Sequence, residues 1–359
     1  MLPAMQIYSI QFLRFFAVFL VLGSHIVLEI WHRYANDGRY QFWHDFGGVG
    51  VDIFFVISGV VITLSTIKAL KSPGPAQAWL FCKRRIIRIV PMYWFYSSLK
   101  AVMIVALGSN AFKAGLDPVF FLKSIFFFPV INPAGQRLPV LESGWTLSFE
   151  MLFYASFALA LLVKRPPLRL SLVLLGILYL VCRAFPEVLF CEFFGRSLLF
   201  EFLLGGAIAH LWLRRTVLHP VLPPLLVAVG LGVMFMPGKP AELDRLFSVG
   251  VPAAMLVMGA MWLERYALVS QLSARFKLLG DASYAIYLSH GLIVPVIVIV
   301  LQKLRVQDTV LVFVVTMLVS LVLGCLAYLW LEQPLTNWLN RRFGAGKAAP
   351  AAPAVEVAR

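Results

Sequence analysis

Arg14 and His25 share the apolar run IQFLRFFAVFLVLGSHIV. At 100° per residue their separation brings both to nearly one helical face, roughly 16 Å apart along the axis. One face thus carries a cation towards one end and an imidazole towards the other. Taken singly, Arg14 reads equally well as a snorkelling cation and His25 as an interfacial histidine. Asp52 lies in GGVGVDIFFVISG, and Glu150 sits between Phe149 and Met151 in ESGWTLSFEMLFY. A solvated carboxylate at a helix N-terminus is the plain reading of Asp52. Glu150 is harder to leave in lipid, because ionisable groups inside apolar spans are costly and by default face a protein interior. His25, Asp52 and Glu150 are therefore expected to converge near one surface, where an imidazole beside carboxylates would serve general-base chemistry.

A second cluster lies in FCKRRIIRIVPMYW. Arg85 and Arg88 are i, i+3 neighbours on one helical face. A guanidinium pair grips phosphates bidentately, whereas anchoring at a cytoplasmic surface accounts for Lys83 and Arg84 without any ligand. With Arg14 between this cluster and His25, the pattern suits an anionic, extended cofactor whose reactive end points at the imidazole, which describes acyl-coenzyme A. LGDASYAIYLSHG adds Ser289 and His290, which either line the same tunnel or hydrogen-bond between helices. Trp145 and Tyr287 are further candidates for the substrate path. Ser58 and Ser148 have no nucleophile-elbow pattern around them, so direct transfer is favoured over an acyl-enzyme. Glu201 receives no role.

The elements that must position these groups are membrane helices. Of 359 residues 61% are hydrophobic and 13% charged, and mean hydropathy is +0.87. Soluble domains carry about 25% charged residues. Apolar runs near the ~20 residues a bilayer needs can be drawn at about 7–30, 47–66, 92–108, 144–163, 168–185, 197–213, 220–236, 247–263, 281–302 and 309–330. The expected fold is an all-α, polytopic membrane bundle of about ten transmembrane helices with both termini cytoplasmic. In that orientation Lys83, Arg84, Arg85, Lys164, Arg165, Arg214 and Arg215 fall inside, while Asp45, Asp117, Glu142, Glu187, Glu192 and Asp308 fall outside. The net charge of +14 is thereby explained without a nucleic-acid partner. The first apolar run is too long for a signal-peptide core and is expected to remain as an anchor. Residues 1–343 read as one membrane domain and 344–359, rich in Ala, Pro and Gly, as a disordered tail. The long outer segment 109–143 should carry a short interfacial piece around Phe120–Phe128. Cys82, Cys182, Cys191 and Cys325 are too scattered for a metal or disulfide framework. The main alternative is a transporter or flippase of a lipid-linked sugar, which would be expected to show inverted repeats and matched broken spans.

Five motifs in order, IQFLRFFAVFLVLGSH, GVDIFFVISG, RRIIRIVPMYW, GWTLSFEMLFY and LGDASYAIYLSH, resemble the acyltransferase-3 family of integral membrane O-acyltransferases from Ile7 to Pro334. The opening IYSIQFLR is most similar to the subgroup associated with bacterial exopolysaccharide production. The resemblance implies ten core helices in the bacterial inner (cytoplasmic) membrane and acetyl-CoA as cytoplasmic donor. The implied acceptor is a sugar hydroxyl, on a polysaccharide or a lipid-linked sugar on the far side, with other exopolysaccharide-assembly proteins as conceivable partners. It also implies that Arg14 and His25 are the essential pair of the first helix, that Arg85 and Arg88 engage the cofactor, and that Glu150 belongs to the catalytic region.

Overall fold

A backbone in hydrocarbon must satisfy its own N–H and C=O groups, so apolar runs of bilayer length fold as helices. The computed structural model describes residues 7–34, 38–107, 116–237 and 244–343, and its regular elements there are all helical. Helix α1 is Tyr8–Arg33, the short α2 (Gln41–Phe46) leads into α3 (Val49–Ser65), and the one-turn α4 (Ile67–Leu70) follows. α5 (Pro75–Leu107) precedes the short α6 (Pro118–Ile125), and α7 (Gly144–Leu162), α8 (Pro167–Ala184) and α9 (Leu189–Phe194) come next. After α10 (Leu199–Leu213) and α11 (Leu222–Met234), a π turn at Leu246–Gly250 opens α12 (Val251–Leu263). The chain closes with α13 (Ala267–Ala274), α14 (Lys277–Asp281), α15 (Ser283–Lys303), α16 (Thr309–Ala327), a second π turn at Tyr328–Glu332, and α17 (Gln333–Phe343).

Eight helical stretches are long and apolar enough to cross a membrane. Two shorter apolar helices, α10 and α11, lie where two further spans were expected. Their 15 and 13 residues reach only about 20 Å at 1.5 Å per residue, against a hydrocarbon core of about 30 Å. Arg214 and Arg215 stop the first of them, and Pro223 and Pro224 open the second. The chain is thus a polytopic helical membrane bundle. The expected disordered tail, 344–359, lies outside the described residues.

α1 is the central post, packed against α3, α15 and α16. No side chain of its own caps its N-terminus. Glu264, from the end of α12, instead accepts the N–H groups of Tyr8 at 3.0 Å and Ser9 at 2.7 Å. A carboxylate there satisfies orphan donors and meets the positive end of the helix dipole, which fixes the depth of Arg14 and His25.

α3 and α10 approach each other through two glycines. A Cβ on Gly59 would fall 2.0 Å from the Phe202 carbonyl oxygen, and one on Gly205 would fall 1.9 Å from that of Val56. Small residues at such crossings let backbones meet where lipid supplies no hydrophobic drive. Gly59→Val is therefore expected to push the helices apart and cost about 2 kcal/mol or more. A lowered melting midpoint of the detergent-solubilised protein would report this, and an unchanged midpoint would contradict the close crossing.

The expected third span, 92–108 with its basic cluster at the mouth, needs correction: α5 starts at Pro75 and runs 33 residues, so Lys83 to Arg88 lie within it. Pro91 does not end the helix. It forfeits the bond its N–H would have given to the Ile87 carbonyl, a loss tolerated where neighbouring helices cover the backbone; two residues on, Tyr284 Oη packs against the same stretch and donates to the Ile89 carbonyl at 2.8 Å. Arg85 and Arg88 are consequently held on a rigid element. The expected surface piece is α6, whose N-terminus is capped by Asp117 accepting from Val119 and Phe120 at 3.0 and 2.9 Å. Val119 and Leu122 on it, and Phe126 and Phe128 just after it, are exposed apolar side chains, as an interfacial segment requires.

Candidate active site

Two cavities lie along the bundle and share Val51 and Tyr287 in their walls. The larger, about 820 Å³, is lined by His25 and Glu29 of α1, Lys100 of α5, Trp145 of α7, and Tyr287 and His290 of α15. The smaller, about 150 Å³, is lined by Arg14, Ser58, Arg85, Arg88, Glu150 and Tyr154, among others. Arg14 and His25 thus face different chambers from one helix, as their spacing requires. Tyr287 stands between the chambers with its hydroxyl 2.9 Å from Thr146 Oγ1 and 3.4 Å from the Ser143 carbonyl.

In the larger chamber the His25 and His290 rings are 4.5 Å apart between centroids and tilted by 58°. His290 Nδ1 lies 2.5 Å from the Tyr287 carbonyl oxygen. A carbonyl only accepts, so that nitrogen carries the proton and, in the neutral ring, Nε2 is left as an acceptor. Ser289 lines neither cavity, and its hydroxyl turns back to the Ile286 carbonyl at 3.4 Å. Trp145 and Tyr287 are both wall residues of the larger chamber.

Lys100 and Glu142 were not anticipated as members of this site. Lys100 is only 1% exposed, and its Nζ lies 3.1 Å from Glu142 Oε1 on the cavity wall. The available signal was the lysine itself, an ammonium inside the expected third span, which belongs at a site by the rule that singled out Arg14. The charges acting on His25 are those of Glu142, Lys100 and Glu29.

The expected convergence of His25, Asp52 and Glu150 is not what the fold produces. Asp52 is fully buried and receives Arg245 bidentately, with Nε to Oδ1 at 2.8 Å and Nη2 to Oδ2 at 2.6 Å. The Arg245 guanidinium, which stands before the π turn that opens α12, has its pKa raised chiefly by the Asp52 charge. Glu150 lies about 9 Å along α7 from Gly144, enough to carry its carboxylate past Tyr287 into the smaller chamber. There it accepts from Ser58 Oγ at 3.1 Å and from Tyr154 Oη.

The arginines of the smaller chamber differ in what already holds them. Arg85 Nη2 donates to Ser65 Oγ at 2.5 Å, and its guanidinium stands 5.5 Å from the Phe81 ring and 5.7 Å from that of Tyr154. Arg88 Nη1 is 2.6 Å from Oε1 of the fully buried Glu332 and lies over the Tyr284 ring. Glu332 was also missed, although an acid closing the last apolar run before Pro334 is visible in the sequence. Three guanidiniums around one opening suit an anionic, phosphate-bearing ligand.

Comparison with known proteins shows the family. Residues 7–329 match the model of the acyltransferase-3 family, described as an acyltransferase domain. The chain is 34% identical over 316 residues to the exopolysaccharide production protein ExoZ of Rhizobium meliloti (strain 1021), covering 85% of this chain and 95% of that one. It is 24% identical over 329 residues to the O-acetyltransferase OatA of Staphylococcus aureus (strain NCTC 8325 / PS 47), covering 82% of this chain but only 53% of OatA. No solved structure matches. With a family match over nearly its whole length and a multi-pass helical bundle, the chain belongs to the acyltransferase-3 family of membrane O-acyltransferases.

Proposed function

We propose that the protein transfers an acetyl group from cytoplasmic acetyl-CoA to a sugar hydroxyl of an exopolysaccharide or another cell-surface glycan. The observation that carries this reading is the pair of chambers meeting at Tyr287, one ringed by Arg14, Arg85 and Arg88 and the other holding His25. In this reading ten helices cross the bacterial inner membrane, both termini are cytoplasmic, and the arginine chamber opens inward. The diphosphate end of the donor rests on Arg85 and Arg88, and its extended arm passes Arg14 and Tyr287 to bring the thioester to His25. His25 removes the proton of the acceptor hydroxyl, whose oxygen attacks the thioester carbonyl. The C–S bond breaks, and coenzyme A leaves as the thiol after taking a proton. Glu142, paired with Lys100, is the carboxylate that steadies the charged imidazole. Glu150 shapes the donor passage, and Asp52 holds Arg245 in the wall of the acceptor chamber. ExoZ, by its name, serves exopolysaccharide production, and OatA is named an O-acetyltransferase, which supports both acetyl as the group and a glycan as the acceptor.

The test is to incubate the purified protein in lipid nanodiscs with acetyl-CoA labelled in the acetyl group and cell-surface polysaccharide from a strain lacking the protein. Label is expected in alkali-labile ester on the polysaccharide. Label that stays with coenzyme A, while the polysaccharides of strains with and without the protein carry identical acyl groups, would overturn the reading.

A further inference from the structure

The acceptor chamber carries two arginines that the reaction above does not use. Arg183 ends α8 and Arg196 lies in the turn between α9 and α10. A Cβ on Gly195 would fall 3.0 Å from Cys182 Cβ, so the segments bearing the two arginines are packed side by side. Both are exposed and both line the chamber. The other charges of the wall are already matched. Glu29 pairs with Arg33, Lys100 with Glu142, and Arg245 with Asp52, while Asp244 accepts the Leu246 N–H at 2.8 Å. Arg137 and Glu192 pair with each other at 2.5 Å.

Among the described residues, neither Arg183 nor Arg196 has an acid within ion-pair distance. Arg196 stands 6.0 Å from the Phe193 ring, and burial together with the nearby positive charge of Arg245 lowers its pKa against the opposing charge of Glu192, which is itself paired to Arg137. Two guanidiniums on adjoining segments of one chamber wall, neither committed to an ion pair, leave their charge available to an anionic ligand. Guanidinium forks match the two oxygens of a carboxylate or phosphate. Tyr179 and Gln136, on the same wall, offer a ring face and an amide to a neighbouring sugar.

We propose that Arg183 and Arg196 form an anion subsite that selects an acidic acceptor, a saccharide carrying a carboxylate or one attached to a diphosphate carrier. This rests on the reading that the larger chamber receives the acceptor. Both sources present the same chemistry, paired anionic oxygens on a sugar chain.

The experiment measures binding rather than turnover. Isothermal titrations would use the full-length protein in nanodiscs of zwitterionic lipid. The probes are tetragalacturonic acid, neutral maltotetraose, and maltotetraose on a short polyprenyl diphosphate. At least one anionic probe is expected to bind about tenfold or more tightly than maltotetraose, since charge-assisted hydrogen bonds are the stronger class. The advantage should shrink on raising salt from about 0.05 to 0.5 M. The Arg183→Gln/Arg196→Gln double substitution is expected to abolish the preference. Because both side chains are exposed, its melting midpoint should stay at the wild-type value. Preference for tetragalacturonic acid alone identifies an acidic sugar, preference for the diphosphate alone identifies the carrier, and preference for both supports the shared site. Equal binding of all three probes by the wild type, no binding of either anionic probe, or a preference that survives in the double variant would overturn the subsite. His25→Ala should keep the binding preference, so loss of acetyl transfer and loss of anion selection are separate results.

Discussion

His25→Ala is expected to lower acetyl transfer by about 10²–10⁴-fold, the usual contribution of a positioned general base. The expectation rests on place as much as on residue type. His25 is half-buried on a chamber large enough for a sugar, and its helix also presents Arg14 to the donor chamber. His290, whose ring lies beside it, has its Nδ1–H held by the Tyr287 carbonyl, which fixes the tautomer of that ring and leaves Nε2 towards the chamber as a second acceptor. Truncating His25 leaves the pinned N-terminus of α1, the arginines of the donor chamber and the α3–α10 crossing intact. The variant should therefore accumulate in the membrane at the wild-type level and keep its KM for acetyl-CoA while kcat falls. Labelled transfer by purified protein, with donor concentration varied, reads both constants. A kcat within a factor of about three of wild type, far below what a lost base costs, would remove His25 from the chemistry.

What the sequence made legible followed from costs that act on single residues. The apolar runs drawn in the sequence became helices, because a helix satisfies its backbone polar groups within a single segment. The same-face relation of Arg14 and His25 followed from helical pitch alone. What could not be read were pairings set by the packing of distant helices. Asp52 and His25 each start from comparable positions on neighbouring helices, yet Asp52 turns to Arg245, whose segment follows far later in the chain. Helical pitch within α3 fixes which face Asp52 occupies, but what that face meets is set by the segment before α12, which packs against α3 from far along the chain. The third span drawn at 92–108 began too late, because α5 runs on through Pro91 from Pro75, and Tyr284, from a helix almost two hundred residues later, packs against that stretch and donates to the Ile89 carbonyl. Lys100 was visible but overlooked, and its partner Glu142 read as an ordinary loop acid until the two met on one cavity wall.

Arg88→Ala is expected to act twice, on stability and on donor binding, and the two effects can be separated. Glu332 is fully buried at the second π turn, and its salt bridge in the described structure runs to Arg88 at 2.6 Å. Removing the guanidinium strands a carboxylate in a low-dielectric interior, a loss of about 3 kcal/mol, at the lower end of the range for broken buried pairs because Arg88 is itself partly exposed. The melting midpoint in detergent should fall accordingly. Removing both charges is a different perturbation. Replacing a buried pair with apolar side chains of similar volume is often neutral or stabilising, so Arg88→Met/Glu332→Met should recover the wild-type midpoint. Donor binding should not recover, since a thioether cannot grip a phosphate, and KM for acetyl-CoA is expected to stay about tenfold above wild type, the effect of losing one charge-assisted contact of about 1.4 kcal/mol. If the double variant regained both the midpoint and the wild-type KM, Arg88 would be a structural partner of Glu332 alone, and Arg14 and Arg85 would be left to hold the donor. If Arg88→Ala left the midpoint unchanged, the ion pair would carry no stability, and donor binding would be the remaining function of that guanidinium.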